Sequence, residues 1–176
     1  MEDFIRHIEE AAIDNNLDAV KQLIQKGSDQ SILNAGLTSA VAYGHIELAD
    51  FFIEKGADLT CNNFDPLYWA CHNQNESAIK YVLSKGVDIN VQDGLILWMS
   101  SISMDYEFIK WLLENGADIN LRGGDAFIRA SEWGTFEVVK LLLGYKPTIE
   151  SLRQAKFVAE RRRRKEILQM LNEYCP

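Results

Sequence analysis

The sequence is poor in the residues that build metal and redox sites. It holds three cysteines, Cys61, Cys71 and Cys175, and three histidines, His7, His45 and His72. An odd number of cysteines with no CxxC pair spells neither a disulfide framework nor a zinc ribbon, and it fits a reducing compartment. Cys61, Cys71 and His72 match no zinc-ligand spacing, so no metal or other cofactor is expected. The chain also lacks a GxSxG elbow, an HExxH helix, a Walker loop and a GxGxxG after a strand, and no enzyme is expected. Long apolar runs are absent too. The longest mostly apolar stretch, residues 95–104, is too short for a membrane span and is broken by serines. The first ten residues are acidic and charge-broken, without the basic start and apolar stretch of an export signal, so the expected location is cytoplasmic. Positive charge is in deficit: 18 Lys and Arg face 26 Asp and Glu, for a net charge of −8. Such a body repels phosphate backbones and favours basic partners, so neither nucleic acid nor a membrane is the expected partner.

What is present is an ordinary globular composition, 47% hydrophobic and 25% charged over 176 residues, enough for one domain with a real core. The dominant feature is internal repetition. Gly27-Ser28-Asp29, Gly56-Ala57-Asp58, Gly86-Val87-Asp88 and Gly116-Ala117-Asp118 recur at a spacing of about 30 residues, and a further step reaches Lys146-Pro147. Before each lies an apolar pattern at i, i+1, i+4 and i+5, such as Ala78-Ile79-Lys80-Tyr81-Val82-Leu83 and Val138-Val139-Lys140-Leu141-Leu142-Leu143, which predicts a helix buried along one broad stripe. The glycine then closes that helix in the left-handed conformation. Upstream of each is a shorter helix marked by paired small residues: Ala11-Ala12, Ala40-Val41, Ala70-Cys71, Ser100-Ser101 and Ala130-Ser131. Small side chains let two helices approach closely, so each unit reads as a helix hairpin. Short polar segments such as residues 118–124 connect the units as tight turns.

Asp65-Pro66-Leu67-Tyr68-Trp69-Ala70-Cys71 and Tyr43-Gly44-His45-Ile46-Glu47, set in this frame, resemble the ankyrin repeat, with its TPLHxAA-like opening, GH turn, VVKLLL-like second helix and GADxN exit. The resemblance covers about residues 4–172. It implies an all-α ankyrin-repeat solenoid of stacked helix-turn-helix units, read as a single domain, 1–176, with repeats at about 4–29, 32–60, 62–90, 92–120 and 122–149. The period falls short of the usual ~33 residues, and the missing residues lie before each first helix, so the finger turns are expected to be short. This shortened form looks like ankyrin arrays of large amoebal viruses and of bacteria that deal with eukaryotic hosts. From residue 150 to 176 a charged two-helix segment is expected to cap the array.

Within that template, the residues after each small pair are expected to face the concave groove, where the family varies them to choose partners: Ile13 and Asp14, Ala42 and Tyr43, His72 and Asn73, Ile102 and Ser103, Glu132 and Trp133. Finger residues Asn62, Asn63, Phe64, Gln92, Asp93 and Arg122 extend the stripe. Its mixture of aromatics and arginine resembles an interface core. Tyr43, Phe64, His72, Asn73, Ile102, Arg122, Glu132 and Trp133 are therefore the candidate partner-binding residues. His45 is read as structural at the GH turn, and Trp69, Trp98 and Trp111 as core. The run Arg161-Arg162-Arg163-Arg164-Lys165 has two readings, a nuclear-import or acidic-partner patch and a solvated face of the cap, the second favoured by an i, i+4 pairing of Glu160 with Arg164.

The resemblance thus implies a non-enzymatic module that binds a protein with a basic or mixed apolar and basic surface, as a monomer. It acts in the cytoplasm or in a host's cytosol or nucleus. Two forms stay open, a host-directed viral or bacterial protein and an immunity protein masking a toxin. A nuclear or nucleic-acid-associated factor using the basic run is the alternative from another class.

Overall fold

The computed structural model describes residues 2–25, 27 and 29–174, and these form twelve α-helices and no strand. Ser28 of the first exit motif and Cys175 lie outside the described residues. The helices fall into two compact units, Met1–Val87 and Asp88–Pro176, each built of three antiparallel pairs.

In the first unit the pairs are α1 (Glu2–Ile13) with α2 (Leu17–Gln25), α3 (Gln30–Tyr43) with α4 (Ile46–Glu54), and α5 (Cys61–His72) with α6 (Glu76–Ser84). The first helices stack on one another, α1 on α3 and α3 on α5. Their small residues sit where the backbones approach: Ala12, Ala40 and Ala70 are fully buried. The second helices bury the expected stripe, Leu48, Ala49 and Phe52 on α4 and Ala78, Ile79 and Val82 on α6. Each large side chain so buried contributes about 1.5–3 kcal/mol. One approach depends on a missing side chain, because a Cβ on Gly36 would come within 2.2 Å of the Phe52 ring.

The second unit repeats the design with α7 (Val91–Ser103) and α8 (Tyr106–Glu114), α9 (Asp125–Trp133) and α10 (Phe136–Leu143), and α11 (Ile149–Arg161) and α12 (Lys165–Tyr174). A 3-10 turn, Leu121–Gly124, precedes α9. Ser100, Ala130 and Ala159 take the small-residue position, and Phe108, Ile109 and Leu112 on α8 and Val138, Val139 and Leu142 on α10 fill the core. The last pair has the two-helix form expected of a cap. Its basic residues do not lie within one helix, however. Residues 162–164 form the turn between α11 and α12, with Arg163 in the left-handed region at φ 59°.

The ends of the second helices follow from backbone chemistry. Gly56 and Gly116 adopt φ of 100° and 95°, which lets Ala57 N–H reach the Phe52 carbonyl and Ala117 N–H the Leu112 carbonyl and so closes the last turn of each helix. In the fifth repeat it is Lys146, at φ 59°, and not Gly144 that takes the left-handed place. After each exit an asparagine ties neighbouring turns together: Asn90 Oδ1 accepts from Asp118 N–H at 2.9 Å, and Asn120 Oδ1 from Thr148 N–H at 3.1 Å.

The short fingers are three-residue left-handed turns. Asn62, Asn63 and Phe64, then Gln92, Asp93 and Gly94, then Arg122, Gly123 and Gly124 all have positive φ between 47° and 81°. The chain reverses in three residues where a longer finger would extend. This conformation costs roughly 1–2 kcal/mol per non-glycine residue, so the surrounding packing must hold it.

Candidate functional site

The ends of the first helices carry the exposed side chains. In the first unit Tyr43 ends α3 with 53% of its surface exposed and stacks on His45 at 6.4 Å between ring centroids. Its neighbour Ala42 is buried, with only its carbonyl in use. Ile13 is exposed at the end of α1. On α5, His72 stacks on Tyr68 at 6.3 Å and meets the edge of Trp69 at 5.3 Å, while Tyr68 meets Trp69 edge-on at 5.5 Å. Trp69 is 42% exposed, which overturns its assignment to the core. Its repeat position explains why. The residues one and two periods later, Met99 and Arg129, are only half-buried, so this register is not a core position. Tyr68 and Trp69 are thus exposed aromatics that the sequence reading left out of the candidate face, although the register carried the signal. Phe64 is half-buried in its left-handed turn.

Asn73 has a structural duty. Its Nδ2 donates to the Ala42 carbonyl at 3.1 Å, as His45 Nε2 donates to the Ile13 carbonyl at 2.9 Å. Each satisfies a carbonyl left open at the end of the preceding first helix. Arg164 does the same in the second unit, with Nη1 donating to the Glu132 carbonyl at 3.0 Å and Nη2 to Gly134. Arg164 therefore belongs to the helix ends of the preceding repeat, and not to the pairing with Glu160 that its spacing predicts.

The second unit places Glu132 between two arginines. Its carboxylate accepts from Arg161 Nη2 and, at 2.9 Å, from Arg162 Nε. Burial alone raises the carboxyl pKa, but the two guanidinium hydrogen bonds and charges outweigh it and hold Glu132 below its usual value. Arg162 lies over the Trp133 ring, 3.7 Å from its centroid, and Arg161 is 6.0 Å from the Phe157 ring. Trp133 remains 53% exposed and Phe157 62%. Ile102 is exposed one period before Glu132. Arg163 and Lys165 are exposed and have no ion-pair partner among the described residues.

Arg122 turns back onto its own unit. Its guanidinium lies 4.9 Å from the Trp98 ring centroid and donates from Nη2 to the Gln92 carbonyl at 2.9 Å. Arg129 lies over the same ring at 4.6 Å, and the Trp98 indole N–H donates to Asp125. Trp98 and Trp111 are half-buried, Trp98 as a platform for two guanidiniums.

On the second-helix side of this unit, Met104, Tyr106, Phe136, Leu141 and Tyr145 line an open cleft of about 920 Å³, which contains none of the candidate partner-binding residues. Among the described residues no cluster of His, Cys, Asp or Glu is arranged to hold a metal ion, and no helix is long and apolar enough to cross a membrane.

Family comparison agrees with this geometry. A model of ankyrin repeats in three copies matches residues 8–93, and a second model, of ankyrin repeats in many copies, matches residues 97–143. The chain belongs to the ankyrin repeat family. Among solved structures, this ankyrin repeat chain is similar to the ankyrin repeat domain of human ASB11, with a TM-score of 0.74 and 23% identity over 96% of this chain and 83% of that one. That likeness shows the fold. No curated protein sequence matches significantly. Ankyrin repeats generally mediate protein–protein interaction and are generally non-enzymatic.

Proposed function

We propose that this ankyrin repeat chain is a non-enzymatic binding module that holds a protein partner against the ends of its first helices and acts by occupancy. The observation that carries the reading is the exposure of Tyr43 and Trp133, each 53%, at the same position of two different repeats. Large aromatics left in water at a repeated, ordered position are the residues that dominate interface energetics. Tyr68, Trp69 and His72 add a second aromatic cluster on α5. The first unit, with thirteen Asp and Glu against six Lys and Arg, supports a basic partner surface there. We also take the five repeats and cap to act as one monomeric domain, because the period runs through Val87 and Asp88 without insertion. The buried free thiols of Cys61 and Cys71 support a reducing location such as the cytoplasm.

Three of the five basic-run residues contact their own unit, which argues against a free run serving nuclear import or nucleic-acid binding. The test is affinity capture from lysate with the wild type and a Tyr43→Ala, Trp133→Ala double variant. A protein retained by the first and lost by the folded second is expected. Capture of the same set by both, or of nucleic acid alone, overturns the reading.

A further inference from the structure

The arginines of this protein are unevenly placed. Seven of the eight lie in the second unit, which carries twelve Lys and Arg against thirteen Asp and Glu. Four of the seven are mounted on aromatic rings: Arg122 and Arg129 on Trp98, Arg162 on Trp133, and Arg161, more distantly, beside Phe157. We propose that the first-helix face of the second unit docks an acidic segment of the protein partner, whose Asp or Glu carboxylates are taken by these ring-mounted arginines. The proposal rests on the protein-binding reading above and names the chemistry of that partner.

The argument begins with Glu132. One carboxylate serves two guanidiniums, accepting a single N–H from each, so one negative charge faces two positive ones. The remaining N–H groups of Arg161 and Arg162 have no hydrogen-bond partner among the described residues, and their side chains stay 55% and 39% exposed. Both guanidiniums are already oriented, one by the Trp133 face and both by Glu132. A planar fork fixed in this way can receive a carboxylate in bidentate fashion with little further loss of freedom. At the other end of the face, Arg129 is likewise ring-mounted, with only its terminal N–H groups left to meet a carboxylate. Its Nε is buried without a hydrogen-bond partner among the described residues, so the Trp98 ring, and no acceptor, holds that guanidinium in place.

The register adds apolar contacts beside the charges. Ile102 and Glu132 hold one repeat position, and because Ala159 takes the place of Ala130 in the cap, Arg161 and Arg162 stand at the end of α11 where Glu132 and Trp133 stand at the end of α9. Exposed Ile102, Trp133 and Phe157 therefore accompany the arginines, and an acidic segment with interspersed apolar side chains fits both. A nucleic acid fits less well, because acidic residues still outnumber basic ones in this unit and a long polyphosphate meets them beyond the patch.

The test uses the full chain and fluorescein-labelled peptides in low salt, read by anisotropy. The probe alternates paired glutamates with leucine; the controls are the same peptide with glutamine for glutamate, and oligothymidylate of equal charge. Saturable binding of the glutamate peptide is expected, roughly tenfold tighter than the glutamine peptide and tighter than the oligonucleotide. An Arg161→Gln, Arg162→Gln variant is expected to lose about tenfold, and Trp133→Leu, which keeps every charge, about threefold. If circular dichroism shows the arginine pair variant unfolded, Trp133→Leu decides. Absence of saturable binding, equal binding of the glutamine peptide, preference for the oligonucleotide, or unchanged affinity in the folded variants overturns the proposal. Should the acidic probe fail while the Tyr43→Ala, Trp133→Ala variant still loses a captured protein, the acidic assignment falls and protein binding stands; if both fail, both fall.

Discussion

Two glycines and one glutamate show how much single positions decide here. Gly36 and Phe52 share one space, so Gly36→Ala forces the fully buried ring to move. Alanine is the better helix former by about 1 kcal/mol, yet overpacking costs about 1–3 kcal/mol, and net destabilisation in urea unfolding is the expected result. Gly124 combines a φ of 81° with a Ser151 Cβ only 2.5 Å from where its own would stand, so Gly124→Ala is expected to cost about 1–3 kcal/mol on the same measurement. Neither constraint is legible in the sequence. The exit glycines announce themselves by their period, but Gly36 reads as an ordinary helix interruption until its neighbour across the pair is known. Glu132 is a titration case. Its folded pKa is lowered, so its contribution is present above the ordinary value of 4.5 and lost as pH falls through the folded value. Glu132→Gln is expected to cost up to about 1 kcal/mol at neutral pH, since one partner is over half exposed, with the difference from wild type vanishing in acid in thermal melts at several pH values.

Among elements, the deciding device is the side chain that returns to the preceding first helix. His45, Asn73 and Arg164 donate to the carbonyls of Ile13, Ala42 and Glu132, three residue types at one duty. Only His45 was legible, because the GH turn belongs to the family pattern; Asn73 and Arg164 share no chemistry that a repeat alignment could score. The basic run therefore divides by role, and neighbouring substitutions should behave differently. Arg164→Gln, which strips donors from two carbonyls, is expected to cost about 1–3 kcal/mol, whereas Arg163→Gln at the exposed turn stays within about 0.5 kcal/mol in chemical denaturation. A second tie joins α4 to α6, where Tyr81 Oη donates to Asp50 at 2.8 Å and Lys85 Nζ reaches the same carboxylate at 2.7 Å. Burial, together with the Asp50 hydrogen bond and charge, pushes the Tyr81 hydroxyl well above its usual value of 10. A raised acid pKa stabilises below the ordinary value and is lost as pH rises through it. One of the six tyrosines is thus expected to resist phenolate formation in ultraviolet titration until the fold opens.

For the whole molecule, the repeat period and the helix pairs were open to reading because each repeat states the same pattern again. The candidate face was read in part. The exposure of Tyr43 and Trp133 follows from their shared repeat position, but the exposure of Trp69 and the pairing of Glu132 with Arg161 and Arg162 depend on which neighbour a side chain finds, which no period encodes. In a repeat array each module is coupled to its neighbours, so a single urea transition is expected. The tryptophans test this well, since Trp69 lies in the first unit and Trp98, Trp111 and Trp133 in the second. Tryptophan emission and far-ultraviolet circular dichroism should give coincident midpoints; separated midpoints would mean that the units unfold independently.

The left-handed finger turns have a further consequence, for what this protein avoids. A finger built as a hairpin presents strands with unpaired N–H and C=O groups, a template on which another chain can add itself. Three residues such as Arg122, Gly123 and Gly124 reverse the chain before any strand forms, and the described residues contain none. The shortened repeat thus gives up reach in exchange for a margin that offers nothing to extend. Among the described residues, a crowded solution of such chains finds no ready-made edge from which cross-β aggregation can begin.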